Sequence, residues 1–358
     1  MTQTLNVIII GAGKAGLLLL KELNQPRYKN YNVVGFIDDD EKKLGTTVEN
    51  LEVLGSINQL PQIVEKYDIG LSIIAIPSAP GKTITRILDI IQSTNSNFMT
   101  VPPIFQNLKI NTISSPRKIS VKDLIRAPIE NVLTEDSMRE IKDYTILITG
   151  AAGSIGSEIC YQLAGCSPAR IIGLDAAETP LFELANTMEQ KHKKVKFTPI
   201  LANIQDADRL KEVIQKYNPS IIYHCAAFKH VGMMEAFPRE CVKNNIQGSI
   251  NVIQIALEEN IERFVFVSTD KAVNPVNIMG SSKRIIEKYI LNQKSADTKF
   301  MIVRFGNVLE SNGSAIPIFQ EQIENGGPVL ITDERMERYF MTITEAAQLV
   351  IQASILGK

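Results

Sequence analysis

Residues 145–156 read TILITGAAGSIG, and this stretch settles the fold class. Thr145–Ile148 is a short apolar run of the kind that forms a buried strand. Gly150, Gly153 and Gly156 follow at GxxGxxG spacing, and Ser157–Leu163 begins a helical stretch. So tight a passage from strand to helix needs glycine where φ is positive, where backbone must approach a pyrophosphate, and where helix meets strand. The helix N-terminus, with Gly153, Ser154 and Ile155 leading into it, then offers free N–H groups and a partial positive charge to phosphates. A second apolar run, Ile171–Leu174, ends at Asp175, where a carboxylate can hold a ribose diol. Alanines follow Asp175. With no Arg or Lys there to receive a 2′-phosphate, NAD is favoured over NADP.

Further apolar runs lie downstream at Ile221–His224, Phe264–Val267 and Met301–Val303. The same grammar occurs once more upstream. Val7–Ile10 leads into Gly11-x-Gly13-x-x-Gly16 and a Leu-rich helical stretch to Leu23; Val33–Ile37 ends in Asp38; Leu71–Ile76 is cut off by Pro77. Strands alternating with helical patterns predict an α/β chain of two tandem Rossmann-like, doubly wound parallel sheets. The expected division is a first domain over 1–104, a connecting segment over 105–143 with one or two short helices, and a second domain over 144–358. No catalytic constellation follows the first glycine loop. Nucleotide binding and a purely structural or oligomerising role therefore both stay open for it.

With 358 residues, 44% of them hydrophobic, the chain can fill two cores. A net charge of −1 gives no electrostatic case for nucleic acid or an anionic membrane surface. No run approaches the roughly 18 apolar residues of a spanning helix. The four cysteines lack CxxC spacing and the three histidines lack ligand spacing, so reduced packing thiols, no metal site and a cytoplasmic setting are expected.

The densest chemistry lies in VFVSTDKAVNPVNIMGSSKR, residues 265–284. Thr269, Asp270 and Lys271 end an apolar run, and Met279-x-x-x-Lys283 follows. In nicotinamide enzymes of the short-chain dehydrogenase type, a Tyr-x-x-x-Lys pair occupies the latter place. A thioether exchanges no proton near neutral pH. Proton transfer must then rest on other groups, and Asp270 and Lys271 are the candidates.

With TGAAGSIGSE (149–158), HCAAFKHVGMME (224–235), VKNNIQGS (242–249), VSTDKAVNP (267–275), IMGSSKR (278–284), RFGNVL (304–309) and RYFMTITEA (338–346), the chain resembles the bacterial nucleotide-sugar 4,6-dehydratases of polysaccharide and protein-glycan biosynthesis. These belong to the extended short-chain dehydrogenase superfamily. The resemblance makes 144–358 the catalytic domain, with a small substrate-binding subdomain and further elements beyond Lys358. It implies NAD at the glycine loop, with Asn203, Ala226 and Ala227 beside it and Lys283 on the nicotinamide ribose. UDP-N-acetylglucosamine is the implied substrate, with Lys229, His230, Asn245, Asn307, Arg304 and Arg338 as contacts. Pairing through helices into at least a dimer is implied as well.

The implied reaction oxidises C4 of the hexose, eliminates water across C5 and C6, and returns the hydride to C6. Lys271 is assigned as base at C5, Asp270 as acid at the C6 hydroxyl, and Thr269 as hydrogen-bond partner of the C4 oxygen. A lysine base must be neutral part of the time; moving a lysine pKa from about 10.4 to about 7 takes roughly 4.6 kcal/mol. Asp270 must meanwhile be protonated, so a coupled pair sharing one proton is the consistent picture. Inversion at C5, a nucleotide-sugar-binding scaffold without turnover, and a simple NAD oxidoreductase remain the competing readings. For single residues, His230 is equally readable as a loop histidine, Asn245 as a structural amide, and Arg304 and Arg338 as surface charges.

Overall fold

The computed structural model describes residues 4–101, 133–295, 297–309, 311, 315–325, 327–331, 333 and 335–357. The described residues fall into two compact units, one within Met1–Ile129 and one within Glu130–Lys358. Most of the expected connecting segment, including Pro116 and Pro128, lies outside the described residues, as does Glu310, which stands where the resemblance implies a glycine after RFGNVL.

In the first unit the order is β1 (Leu5–Ile10), α1 (Lys14–Leu23), β2 (Tyr31–Ile37), β3 (Thr47–Val48), β4 (Leu51–Gly55), α2 (Leu60–Lys66), β5 (Leu71–Ile74), α3 (Gly81–Gln92) and β6 (Asn97–Thr100). These strands make one six-stranded sheet ordered β3-β4-β2-β1-β5-β6. It is parallel except for β3 against β4. Val7–Ile10 are fully buried, as a central strand covered by helices on both faces requires. Helix α3 is amphipathic, burying Ile84, Ile87, Leu88 and Ile91 at helical spacing.

The second unit begins with α4 (Glu135–Ile141), β7 (Thr145–Thr149), α5 (Ser154–Ala164), β8 (Arg170–Asp175), α6 (Glu178–Lys191), β9 (Phe197–Leu201), α7 (Ala207–Tyr217) and β10 (Ile221–His224). It continues with α8 (Val231–Ala236), a π-helical turn at Val242–Gly248, α9 (Ser249–Glu258), β11 (Arg263–Thr269), α10 (Ile278–Leu291) and β12 (Lys299–Phe305). The short pair β13 (Asn307–Val308) and β14 (Phe340–Met341), with α11 (Ala315–Glu324) between, precedes α12 (Ile343–Leu356). The main sheet is all parallel, in the order β12-β11-β10-β7-β8-β9. Its alternate faces feed two cores: Ile146 and Ile148 enter one, Leu147 the other.

The order of strands reverses at β7, whose neighbours are β8 on one side and β10 on the other. A doubly wound sheet opens its crevice there, beyond the carboxyl ends of the strands. The glycine loop leaves β7, Cys225 follows β10, and Thr269 ends β11, so fold alone gathers these segments. The expected strands are all present. Strands β3, β4, β6, β9, β13 and β14 were not foreseen. Most sit at sheet edges or in two-residue pairs and show only partial burial, which leaves little apolar signal to read.

Candidate active site

Gly150 has φ +68°, and a Cβ on it would lie 2.6 Å from the Ala226 nitrogen. On Gly156 a Cβ would come within 2.1 Å of the Gly150 carbonyl oxygen. Both are glycine because backbone occupies the space a side chain would need. Asp175 closes the loop from the side: its carboxylate accepts from Ala152 N and Ala177 N, each at 2.9 Å. A carboxylate has about four lone-pair sites, so a ribose diol can still be accepted. The crowding at Gly150 and Gly156, and this carboxylate, fit a dinucleotide.

The loop forms one wall of a cleft of about 780 Å³. Of the residues singled out by sequence, Gly150, Gly153, Ser154, Ile155, Gly156, Ala227, Lys229, His230, Thr269, Lys271, Met279, Lys283 and Asn307 line it. Ala226 backs Gly150. Asn203 is exposed after β9, its side-chain oxygen accepting from Gln205 N at 2.9 Å.

Asp270 and Lys271 start a single 3₁₀ turn capped by Thr269. Lys271 Nζ donates to Asp270 Oδ1 and to Asn307 Oδ1, both at 3.0 Å. The Thr269 hydroxyl donates to the same Asp270 oxygen at 2.9 Å. Burial pushes the Asp270 carboxyl upward, but the hydrogen bonds from Lys271 and Thr269 and the Lys271 charge outweigh it. Its pKa lies below the usual carboxylate value. At rest Asp270 is therefore a carboxylate. Gly280, at the start of α10, lets this turn approach; a Cβ there would lie 2.4 Å from the Lys271 carbonyl oxygen.

One helical turn separates Met279 from Lys283, and both are buried. Met279 packs with Met234 and Cys241. Lys283 Nζ donates to Val267 O at 2.8 Å and lies 4.6 Å from the centre of the Phe266 ring. Burial pulls its pKa down to about 8.

Three expected substrate contacts are absent from the cleft wall. Arg304 forks onto Glu287, Nε to Oε1 at 2.7 Å and Nη2 to Oε2 at 2.5 Å, and is absent from the cleft wall. Glu287 is fully buried and also accepts from Ser268 Oγ at 2.6 Å and Arg284 at 3.1 Å. So complete a set of partners occupies the guanidinium that was expected on the substrate. Asn245 is the structural amide of its two readings. Its Oδ1 accepts from Phe228 N at 2.8 Å, and its Nδ2 donates to Phe228 O at 2.9 Å and Ser282 Oγ at 3.2 Å. Arg338 is exposed, donating to Glu337 O at 2.7 Å.

Sequence reading gave no role to His224, Glu287 or Gly280. Ser249 donates its one hydroxyl proton to Asn245 O at 2.7 Å, so it accepts from His224 Nε2 at 2.8 Å. His224 Nδ1 then accepts from Thr149 Oγ1 at 2.6 Å. Burial, then the Lys283 charge, takes the imidazole down to about pKa 3, so it is a neutral brace between the glycine-loop strand and α9. An acid four residues after Lys283 was the available signal for Glu287. Nothing local marks it as buried. Phe228, Met233, Phe237 and Phe340 add an exposed apolar rim to the cleft. Among the described residues, no helix is long and apolar enough to cross a membrane.

Residues 146–358 match the family described as polysaccharide biosynthesis protein, and residues 1–102 match one described as a CoA-binding domain. The chain is 40% identical over 98% of its length to the capsular polysaccharide biosynthesis protein CapD of Staphylococcus aureus, spanning 59% of that protein. It is 33% identical to a UDP-N-acetylglucosamine 4,6-dehydratase (inverting) of Campylobacter jejuni, over 58% of this chain and 62% of that one. Among solved structures, Pen from Bacillus thuringiensis superimposes with a TM-score of 0.57 at 33% identity, over 61% of this chain and 67% of that one. The short-chain-dehydrogenase-type recognition made from the motifs agrees with these likenesses. A family match that takes in the glycine loop, the Thr269–Lys271 turn and the whole cleft wall means that the chain belongs to the polysaccharide biosynthesis protein family.

Proposed function

We propose that the chain carries the catalytic part of a nucleotide-sugar 4,6-dehydratase that binds NAD and converts UDP-N-acetylglucosamine to a UDP-4-keto-6-deoxy-hexose. The observation that carries this reading is the Asp270–Lys271 pair, joined at 3.0 Å, with Lys271 on the wall of the glycine-loop cleft. When bound, NAD supplies the hydride acceptor at C4 and the same hydride for C6.

Everything else falls to side chains. The glycine loop and Asp175 would hold the dinucleotide, and Lys283 would serve its ribose hydroxyls. Oxidation at C4, its hydroxyl proton passing to a water, leaves a ketone that acidifies the C5 proton, which Lys271 removes as a neutral amine while Asp270 protonates the departing C6 hydroxyl. In the resting pair the proton sits on the wrong partner. Lys271 and Asp270 are 31% and 45% exposed. A sugar covering them removes water, penalises the charge-separated form and favours the neutral one. One proton moving along a 3.0 Å hydrogen bond then arms both groups. Thr269 must turn its hydroxyl from Asp270 to the C4 oxygen. The same reading places the protein in the cytoplasm as at least a dimer, which sedimentation would check.

The test is incubation with UDP-N-acetylglucosamine and NAD in deuterated water, followed by NMR of the products. The expected result is a 4-keto-6-deoxy sugar carrying deuterium at C5, with no net NADH. Net NADH would make it a simple oxidoreductase, and binding without product a scaffold. Inversion at C5 is the second reading, favoured by the Campylobacter relative, whose name includes it. The C5 configuration of the same product decides.

A further inference from the structure

Lys271 ends in a flexible four-carbon stem, and its chain neighbour Asp270 lies on the same exposed turn. One acceptor on that turn cannot by itself fix where the amine points. A second acceptor comes from a different element. Asn307 Oδ1 takes an N–H of Lys271 at 3.0 Å from β13. That strand is itself anchored: Asn307 N donates to Tyr339 O at 3.0 Å, and β13 pairs with β14. Below, the Lys271 carbonyl rests on Gly280. The residue is thus held at its backbone and from two sides at its amine.

We propose that Asn307 is a positioning residue for Lys271, holding the amine in one place whichever protonation state it has. This rests on the dehydratase reading for its purpose, though not for its geometry. An amide oxygen accepts an N–H from ammonium and from neutral amine alike. Unlike a second carboxylate, it does not compete for the proton that Asp270 and Lys271 must exchange. It steers the amine and leaves a remaining position on nitrogen free to face the cleft.

The test compares the wild type with Asn307→Leu and Asn307→Asp in two assays. The first needs no turnover: limited acylation by acetic anhydride at one fixed pH, with Lys271 labelling measured by peptide mass spectrometry. Lys211, exposed, calibrates the reagent, and slow labelling of buried Lys283 certifies the fold. Losing a neutral acceptor should raise Lys271 labelling about threefold or more, and adding a carboxylate should lower it by a similar factor. The second assay measures kcat and KM with UDP-N-acetylglucosamine, together with deuterium entry at C5. Asn307→Leu should lower kcat and C5 exchange together by about tenfold or more, with KM within threefold. Unchanged Lys271 labelling in both variants overturns the proposal, and so does a rise in KM alone, which would make Asn307 a substrate contact. If the wild type makes no product, the dehydratase reading fails, and the labelling result alone still decides whether Asn307 positions Lys271.

Discussion

The two units solve the same backbone problem and differ in what they attach to the solution. Gly11 and Gly150 both take positive φ, +109° and +68°. A Cβ on Gly16 would lie 1.9 Å from the Gly11 oxygen, as one on Gly156 would lie 2.1 Å from that of Gly150. Asp38 Oδ2 accepts from Ala12 N at 2.8 Å, and Asp175 Oδ2 from Ala152 N at 2.9 Å. Beyond that they part. Next to the central strand of the first unit, β5 runs into Ala75, Ile76 and Pro77, which carry no titratable group. In the second unit the strand in that place, β10, leads to Cys225, and the next strand out, β11, ends at Thr269 and leads to Asp270 and Lys271. Asp38 is further engaged by Lys43 Nζ at 3.0 Å, whereas the other Asp175 oxygen meets only the backbone of Ala177 among the hydrogen bonds described. A glycine loop thus establishes a fold, and residues at neighbouring strand ends establish a chemistry.

The sharpest way to break this contrast is Lys271→Met. Removing a general base costs about 10²–10⁴-fold in rate, so product formation and C5 deuterium exchange should both fall by about that factor. Retained turnover would leave the second unit as devoid of a demonstrated base as the first. Next come the paired substitutions Gly16→Ala and Gly156→Ala. Each forces a methyl group against a carbonyl oxygen, at a cost of about 3 kcal/mol to its own unit, read by urea unfolding. The energetic outcomes should match while NAD binding, followed by calorimetry, is lost only in Gly156→Ala. Loss in both would give the first loop a share in the cofactor.

Lys283→Met should act in the opposite direction on stability. The buried ammonium has a folded pKa of about 8 against 10.5 for the free side chain. Below pH 8 it is charged in both folded and unfolded chains, and its desolvation cost is fully present. Between pH 8 and 10.5 the folded chain releases the proton first, and that cost fades. The cofactor-free variant should therefore gain about 1 kcal/mol or more at pH 7, and less by pH 10, in thermal melts. An equal gain at both pH values would mean that Lys283 is not desolvated. Stability given up at a site that needs the charge marks a functional position.

How far sequence reaches follows the same divide. Central strands such as Val7–Ile10 and Thr145–Ile148 were legible because burial on both faces demands unbroken apolar runs. Edge strands such as Phe197–Leu201 were not, being half-exposed and carrying Pro199. Thr269, Lys271 and Lys283 were legible through motif spacing, and they share the cleft wall. Arg304 misled because its motif fixes a position along β12 and says nothing of Glu287, which reaches it from a helix 17 residues earlier. His224 and Gly280 were silent for a like reason. Their partners, Ser249 and the Lys271 carbonyl, are neighbours only after folding.

The smallest effect expected is that of Asp38→Asn, and it probes the comparison most finely. Burial raises the Asp38 carboxyl, but bonds from Asp40 N, Lys43 and Ala12 N more than offset this and lower its pKa overall. That stabilisation is present at neutral pH and is lost as pH falls through the lowered pKa. An amide keeps one oxygen for Ala12 N and gives up the charge facing the partly exposed Lys43. The loss should be at most about 1 kcal/mol near pH 7, narrowing toward zero in acid, with turnover within twofold of wild type. Asp175→Asn likewise keeps one oxygen for Ala152 N and gives up the acceptor facing Ala177 N, and should cost at most a similar amount in stability. On the proposed reading its carboxylate holds a ribose diol, so the variant should also weaken NAD binding by about tenfold. Two variants equal in unfolding and unequal in cofactor affinity would show that the duplicated acid serves the loop in both units and the ligand in one. A matching fall in turnover for Asp38→Asn would erase that distinction.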